Sequence, residues 1–136
     1  MPNTANSFAG RWHLVPELCQ YQDGHPPLSG EYEISCTKTD VSLKTSWVDE
    51  HEKPHELTYG GPMDGTVTAM GGGKIETSFT RVDEYRLDSS SYFDGRETSY
   101  AHRKVSEDGT LMVVVMVHHH KTDRSTRNFQ IYRRAD

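Results

Sequence analysis

Strongly apolar residues are scarce in this chain. Leu, Ile, Val and Phe account for 24 of its 136 residues, below the ~20% at which a chain falls under suspicion of disorder. Disorder also needs a high net charge, and 15 Lys and Arg against 20 Asp and Glu leave only −5. Seven Tyr, two Trp and four Phe weigh on the side of a fold. No run approaches the ~18 apolar residues of a membrane-spanning helix; the longest is Leu111 to Val117. Met1 to Ser7 has neither the basic nor the apolar region of a signal peptide. Two cysteines, Cys19 and Cys36, are too few for a disulfide framework and are expected as reduced thiols. A cytoplasmic location is the corresponding expectation. A mildly acidic chain offers no basic face for phosphate backbones, so nucleic acid is not an expected partner. Nucleophile elbow, phosphate loop, Cys-x-x-Cys and zinc-helix motifs are all missing.

What is present is punctuation. Asp-Gly occurs at Asp23-Gly24, Asp64-Gly65, Asp94-Gly95 and Asp108-Gly109, with further breaks at Gly60-Gly61 and Gly71-Gly72-Gly73. Asp-Gly suits tight hairpins because both residues tolerate positive φ. Between the breaks lie ten runs of period-2 patterning: 8–15, 30–37, 41–48, 55–60, 64–70, 74–81, 84–90, 96–106, 110–117 and 126–133. Short, evenly spaced strands of this kind mean a sandwich or a barrel. Short links favour antiparallel pairing of sequence neighbours, and closure removes the exposed edges that a ten-strand meander would leave. The expected fold class is therefore all-β, an antiparallel up-and-down β-barrel of about ten strands. A Greek-key sandwich is the alternative, with Pro16 to Ser29 as its one long connection. Residues 8–136 are expected as a single barrel domain behind a disordered tail, residues 1–7.

The first strand reads Phe8-Ala9-Gly10-Arg11-Trp12, a Phe-x-Gly-x-Trp pattern. It resembles the opening strand of the calycins, the superfamily of lipocalins and fatty-acid-binding proteins. In that group the Gly lets the strand bend sharply and the Trp plugs the closed end of the barrel. Gly permits such a corner because it has no Cβ, and Trp brings a large apolar surface. The last strand, Phe129-Gln130-Ile131-Tyr132-Arg133-Arg134, is similar to the group's closing strand, where an Arg-x-Tyr pair holds a ligand carboxylate. Tyr132 matches the Tyr. Gln130 stands where the Arg belongs, so carboxylate binding is not carried over to that point. The group's helix-turn-helix lid is also missing, because Pro16 to Ser29 is too short and too rich in proline. Lidless bacterial barrels are the nearer comparison. The resemblance implies a calycin-like barrel around a small lipophilic or amphiphilic molecule.

Candidate ligand-binding residues follow. Trp47, Tyr59, Phe79 and Met116 are candidate cavity walls, and Gln130 and Tyr132 would fix a polar head group. The strand 96–106 is polar on both faces: Tyr100, His102 and Lys104 share one, and Ser99, Ala101, Arg103 and Val105 the other. Whichever face turns inward brings a titratable group with it, so Arg103, or Tyr100 with His102, would recognise a polar group. Tyr100 and His102 are taken as interior residues. Convergence of Tyr100, His102 and Arg103 in one wet pocket would instead make the chain a barrel-cavity enzyme such as an isomerase, cyclase or hydratase. A filled barrel with an apolar outer patch would make it an interaction module. Self-association as a homodimer stays open. Within His118-His119-His120, only His118 and His120 share a face, whereas zinc takes three or four protein ligands. No metal and no cofactor are expected. A haem held by a His, as in lidless relatives, is the one exception the resemblance allows. A one-layer barrel shows half of each strand to water, so the polar composition points to a partly polar interior and a ligand with polar groups.

Overall fold

The computed structural model describes residues 6–22, 24–70 and 73–135. Its strands are β1 Gly10–Leu14, β2 Gln20–Tyr21, β3 Ser29–Cys36, β4 Asp40–Val48, β5 Pro54–Pro62 and β6 Thr68–Ala69. Then come β7 Ile75–Asp83, β8 Arg86–Phe93, β9 Arg96–Val105, β10 Leu111–His119 and β11 Ser125–Arg134. A single 3-10 turn, Pro16–Leu18, follows β1, and the described residues contain no α-helix. No helix is long and apolar enough to cross a membrane.

Ten strands form one antiparallel path, β5-β4-β3-β1-β11-β10-β9-β8-β7-β6, with β2 clipped onto β11. The path is a meander whose first and last long strands meet. Trp12 of β1 faces Tyr32 on one side and Arg134 on the other. The remaining ends, β5 and β6, are not paired with each other. Among the described residues the wall is stitched there by the chain after β5, where Arg81 N donates to Met63 O (3.0 Å) and Gly65 N to Phe79 O (2.8 Å). The result is a nearly closed barrel, as the alternation and the turns predict.

Local chemistry explains where expectation and structure differ. The strand expected over 64–70 shrinks to Thr68–Ala69. Gly65 adopts φ 89° and Asp64 Oδ1 accepts the Thr66 N–H at 3.0 Å, so the chain turns before it extends. The hairpin expected at Asp94-Gly95 forms with positive φ at both residues, 52° and 81°. The breaks at Asp23 and at Gly71 and Gly72 lie outside the described residues, as do residues 1–5 of the expected tail. Asn6 and Ser7 are tied to the barrel: Arg81 Nε donates to Asn6 Oδ1, and Ser7 N donates to Glu84 O. Cys19 and Cys36 are free thiols, pushed up in pKa chiefly by burial.

The core fills one end. Phe8, Trp12, Leu43 and Leu87 are each 0% exposed. The Trp12 indole N–H donates to Phe8 O at 3.0 Å. The Arg134 guanidinium lies 4.2 Å over the Trp12 ring and donates to Gly109 O (2.6 Å) and Ala9 O (2.9 Å). It thereby joins the first segment, the β9–β10 turn and β11 across this end, with a cation–π contact as well. Gly10 sits at φ 129°, the bend implied by the Phe-x-Gly-x-Trp pattern. Gly60 is needed for space: a Cβ there would lie 2.2 Å from Val41 O of the paired strand.

Two substitutions test this packing. Trp12→Ala should cost roughly 3–5 kcal/mol, read from the urea midpoint at constant m-value. Gly60→Ala should also lower the midpoint, because the new methyl meets backbone and no rotamer change relieves it.

Candidate functional site

The site is built on β9. Both of its faces are polar in sequence, so packing decides which turns inward. Ala101, Arg103 and Val105 are 4%, 1% and 2% exposed and line the interior. By alternation Tyr100, His102 and Lys104 face out. Arg103 pairs in register with Leu87 of β8 and Val114 of β10, both fully buried.

The Arg103 guanidinium is bonded to neutral hydroxyls alone. Nη1 donates to Ser89 Oγ (2.8 Å), and Nη2 donates to the hydroxyls of Tyr32 (3.3 Å) and Tyr59 (3.2 Å). Its Cζ lies 5.6 Å from the Tyr32 ring centroid. Nε is buried with no hydrogen-bond partner among the described residues. Burial works against the charge, but a guanidinium keeps its proton in a folded protein, so Arg103 stays cationic among these hydroxyls. Burial pushes the Tyr59 and Tyr132 phenols up, so both are neutral hydroxyls at ordinary pH.

Two lobes of open space share Leu57, Tyr59 and Met116 as walls, and Arg103 lines the first of them. One, of about 630 Å³, runs from Arg103 past the hydroxyl side chains of Ser89, Ser91, Ser99 and Thr77. It opens between Leu57, Ile75 and Phe93, which are 40%, 47% and 53% exposed. The other, of about 520 Å³, is lined by Tyr21, Tyr32, Trp47, His118, Gln130 and Tyr132. In it Tyr132 donates to Gln130 Oε1 at 3.2 Å, and Gln130 Nε2 donates to the Tyr21 hydroxyl. At its rim Trp47 stacks on His55 (ring centroids 5.1 Å apart), and His55 Nε2 lies 2.7 Å from Asp49 Oδ2.

The structure thus brings together Trp47, Tyr59, Arg103, Met116, Gln130 and Tyr132 around the two lobes. Phe79 is 1% exposed and packs behind Tyr59 at 5.9 Å between ring centroids, as core rather than lining. Tyr100 borders the Arg103 lobe, but the interior positions expected for its ring and for the His102 side chain are corrected. The Tyr100 ring packs against His102 and His119, and His102 Nδ1 sits beside Arg86 and 3.3 Å from Asp88 Oδ1 on the outer side. The side chains of Tyr100, His102 and Arg103 therefore do not converge in one pocket. Tyr32, Ser89, Ser91 and Ser99 were not picked out from the sequence. Tyr32 shares its strand phase with Ile34, which was signal enough; the serines carry no hydrophobic signal at all. His118 also points inward, half-buried, rather than fraying into solvent. Among the described residues no group of three His, Cys, Asp or Glu is placed to hold a metal ion.

No protein-family model matches the chain, and no curated protein matches it. Solved structures match its shape. Two single-residue mutants of the fluorescent protein UnaG superpose with TM-score 0.65 at 14% identity, over 96% of this chain and 97% of theirs. Secretory abundant heat soluble protein 4 from Ramazzottius varieornatus gives 0.62 at 9% identity, over 100% of both chains. Zebrafish ileal bile acid-binding protein complexed with cholic acid gives 0.59 at 13% identity, over 95% of this chain and 99% of that one. At such identities the likeness shows the fold alone, a nearly closed antiparallel barrel of the kind that the resemblance of the Phe8-to-Trp12 strand to the calycins implies. Between β1 and β3 the described residues form the Pro16–Leu18 turn and β2 and no helix-turn-helix.

One titration is testable in the empty barrel. Burial, then His120 and His119, hold the His118 imidazole below its ordinary pKa. As pH falls through the usual His range near 6.5, the unfolded chain takes up a proton that the folded state resists, so stability falls. In His118→Gln the drop in urea midpoint between about pH 7.5 and about pH 5.5 should be smaller than in the parent.

Proposed function

Taking the calycin-barrel fold as the premise, we propose that this chain binds one small amphiphilic anion inside the barrel, with the carboxylate on Arg103. One observation carries the reading: a fully buried guanidinium with only neutral partners and an unspent Nε–H, at the wall of an open lobe. A buried charge without a counter-charge is costly. A carboxylate would supply the charge and accept two parallel N–H bonds from Nε and Nη. The apolar mouth at Leu57, Ile75 and Phe93 suits the rest of such a molecule. The zebrafish protein of this fold is complexed with cholic acid, itself an amphiphilic acid, which supports the choice of ligand class. Gln130 and Tyr132 form a neutral pair in the second lobe, so the anionic group belongs at Arg103 and not at the closing strand. A filled barrel acting as an interaction module is disfavoured by the two lobes.

The test uses dodecanoic acid and its uncharged analogue dodecanol. The acid should raise the melting temperature in a concentration-dependent way and should bind more tightly than the alcohol. Arg103→Met should abolish that difference while raising the melting temperature of the ligand-free protein, because it removes an uncompensated buried charge. Equal binding of acid and alcohol by the parent, or undiminished acid binding by Arg103→Met, would overturn the assignment.

A further inference from the structure

The rows of the inner wall above Arg103 differ sharply in character. Because Nη1 donates to Ser89, the guanidinium lies at the level of the row Phe79, Ser89, Ala101 and Met116, which are cross-strand partners on β7 to β10. The next inward row toward the mouth is Thr77, Ser91, Ser99 and His118, again partners on the same four strands. Every member of that row is polar. None of these four side chains makes a hydrogen bond among the described residues, and all four line the open lobes. One row further out, Ile75 faces Phe93, and the wall is apolar again.

Resting on the reading of Arg103 as the anion site, we infer that the ligand is an oxygenated acid: it carries a hydroxyl that the Thr77, Ser91, Ser99 and His118 belt receives. An unsubstituted alkyl chain crossing this belt would strip water from three hydroxyls and an imidazole and return no hydrogen bond. That is the expensive outcome for buried polar groups. A hydroxyl at the same level restores the bonds, and the apolar remainder leaves between Ile75 and Phe93. Successive inward positions on one strand are about 7 Å apart, the reach of a hydroxyl on about the sixth or seventh carbon from an extended carboxylate.

The experiment compares dodecanoic acid with its 7-hydroxy and 12-hydroxy derivatives by titration calorimetry on the full chain. The 7-hydroxy acid should bind roughly threefold to tenfold more tightly than the parent acid, the range of one satisfied neutral hydrogen bond. The 12-hydroxy acid should not gain, because its hydroxyl lies beyond the belt. In the double variant Ser91→Ala, Ser99→Ala, with its fold checked by circular dichroism, the ratio of 7-hydroxy to parent affinity should fall toward one. Equal affinities of the three acids for the unmodified chain, or an unchanged ratio in the double variant, would overturn the belt and leave the Arg103 site standing. Failure of all three acids to bind would overturn both.

Discussion

The pairing of β1 with both β3 and β11 is the constraint on which the rest depends. It joins the two ends of a meander and sets Trp12 opposite Tyr32 and Arg134. Side chains alternate across a strand and partners across a ladder share a face. Once Trp12 points inward, the phase of every neighbour follows in turn. Tyr32 and Tyr132 turn in with it, then Gln130 and Val114, and then Arg103. A slip of one residue at this junction would exchange the two faces of each strand. Arg134 guards against it by clamping the indole and tying β11 to the first segment and to the β9–β10 turn at the closed end.

That register commits the fold to a buried cation. Arg103 is held by one serine and two tyrosine hydroxyls, which lower the cost of burial without cancelling it. The remaining cost is the one that the proposed carboxylate would relieve, a trade of stability for binding. The scarcity of Leu, Ile, Val and Phe takes its meaning from the same layout. Apolar bulk is concentrated at the Trp12 end, in Phe8, Ile34, Leu43, Phe79, Leu87 and Met112. The other half of the interior is walled by hydroxyls, an amide, an imidazole and tyrosines around open space. A barrel packed at one end and open at the other needs fewer apolar residues than a solid core of equal length.

Much of the fold was legible because hairpins and closed ends are local. The Asp94-Gly95 turn, the alternation of Val41, Leu43, Thr45 and Trp47, and the Phe8-to-Trp12 pattern each rest on residues adjacent in sequence. The region 64–70 was not legible as a strand-breaking turn. Its alternation of Val67 and Ala69 is real, but the Asp64 side chain and the positive φ of Gly65 take the chain out of the ladder. The β2 clip was also invisible, since two residues carry no period and its partner is more than a hundred residues away.

The candidate site was half legible for one physical reason. Alternation alone determined that Tyr100, His102 and Lys104 share a face of β9 and that Ser99, Ala101, Arg103 and Val105 share the other. It could not say which face is inside, because both are polar and neither is apolar enough to mark itself as the buried one. Only the closed sheet decides that, by passing the inward phase of Trp12 from ladder to ladder until it reaches β9. The ladders from β7 to β10 in turn align Thr77, Ser91, Ser99 and His118 into one row. Sequence determined which side chains travel together; the register of ten paired strands decided what they face.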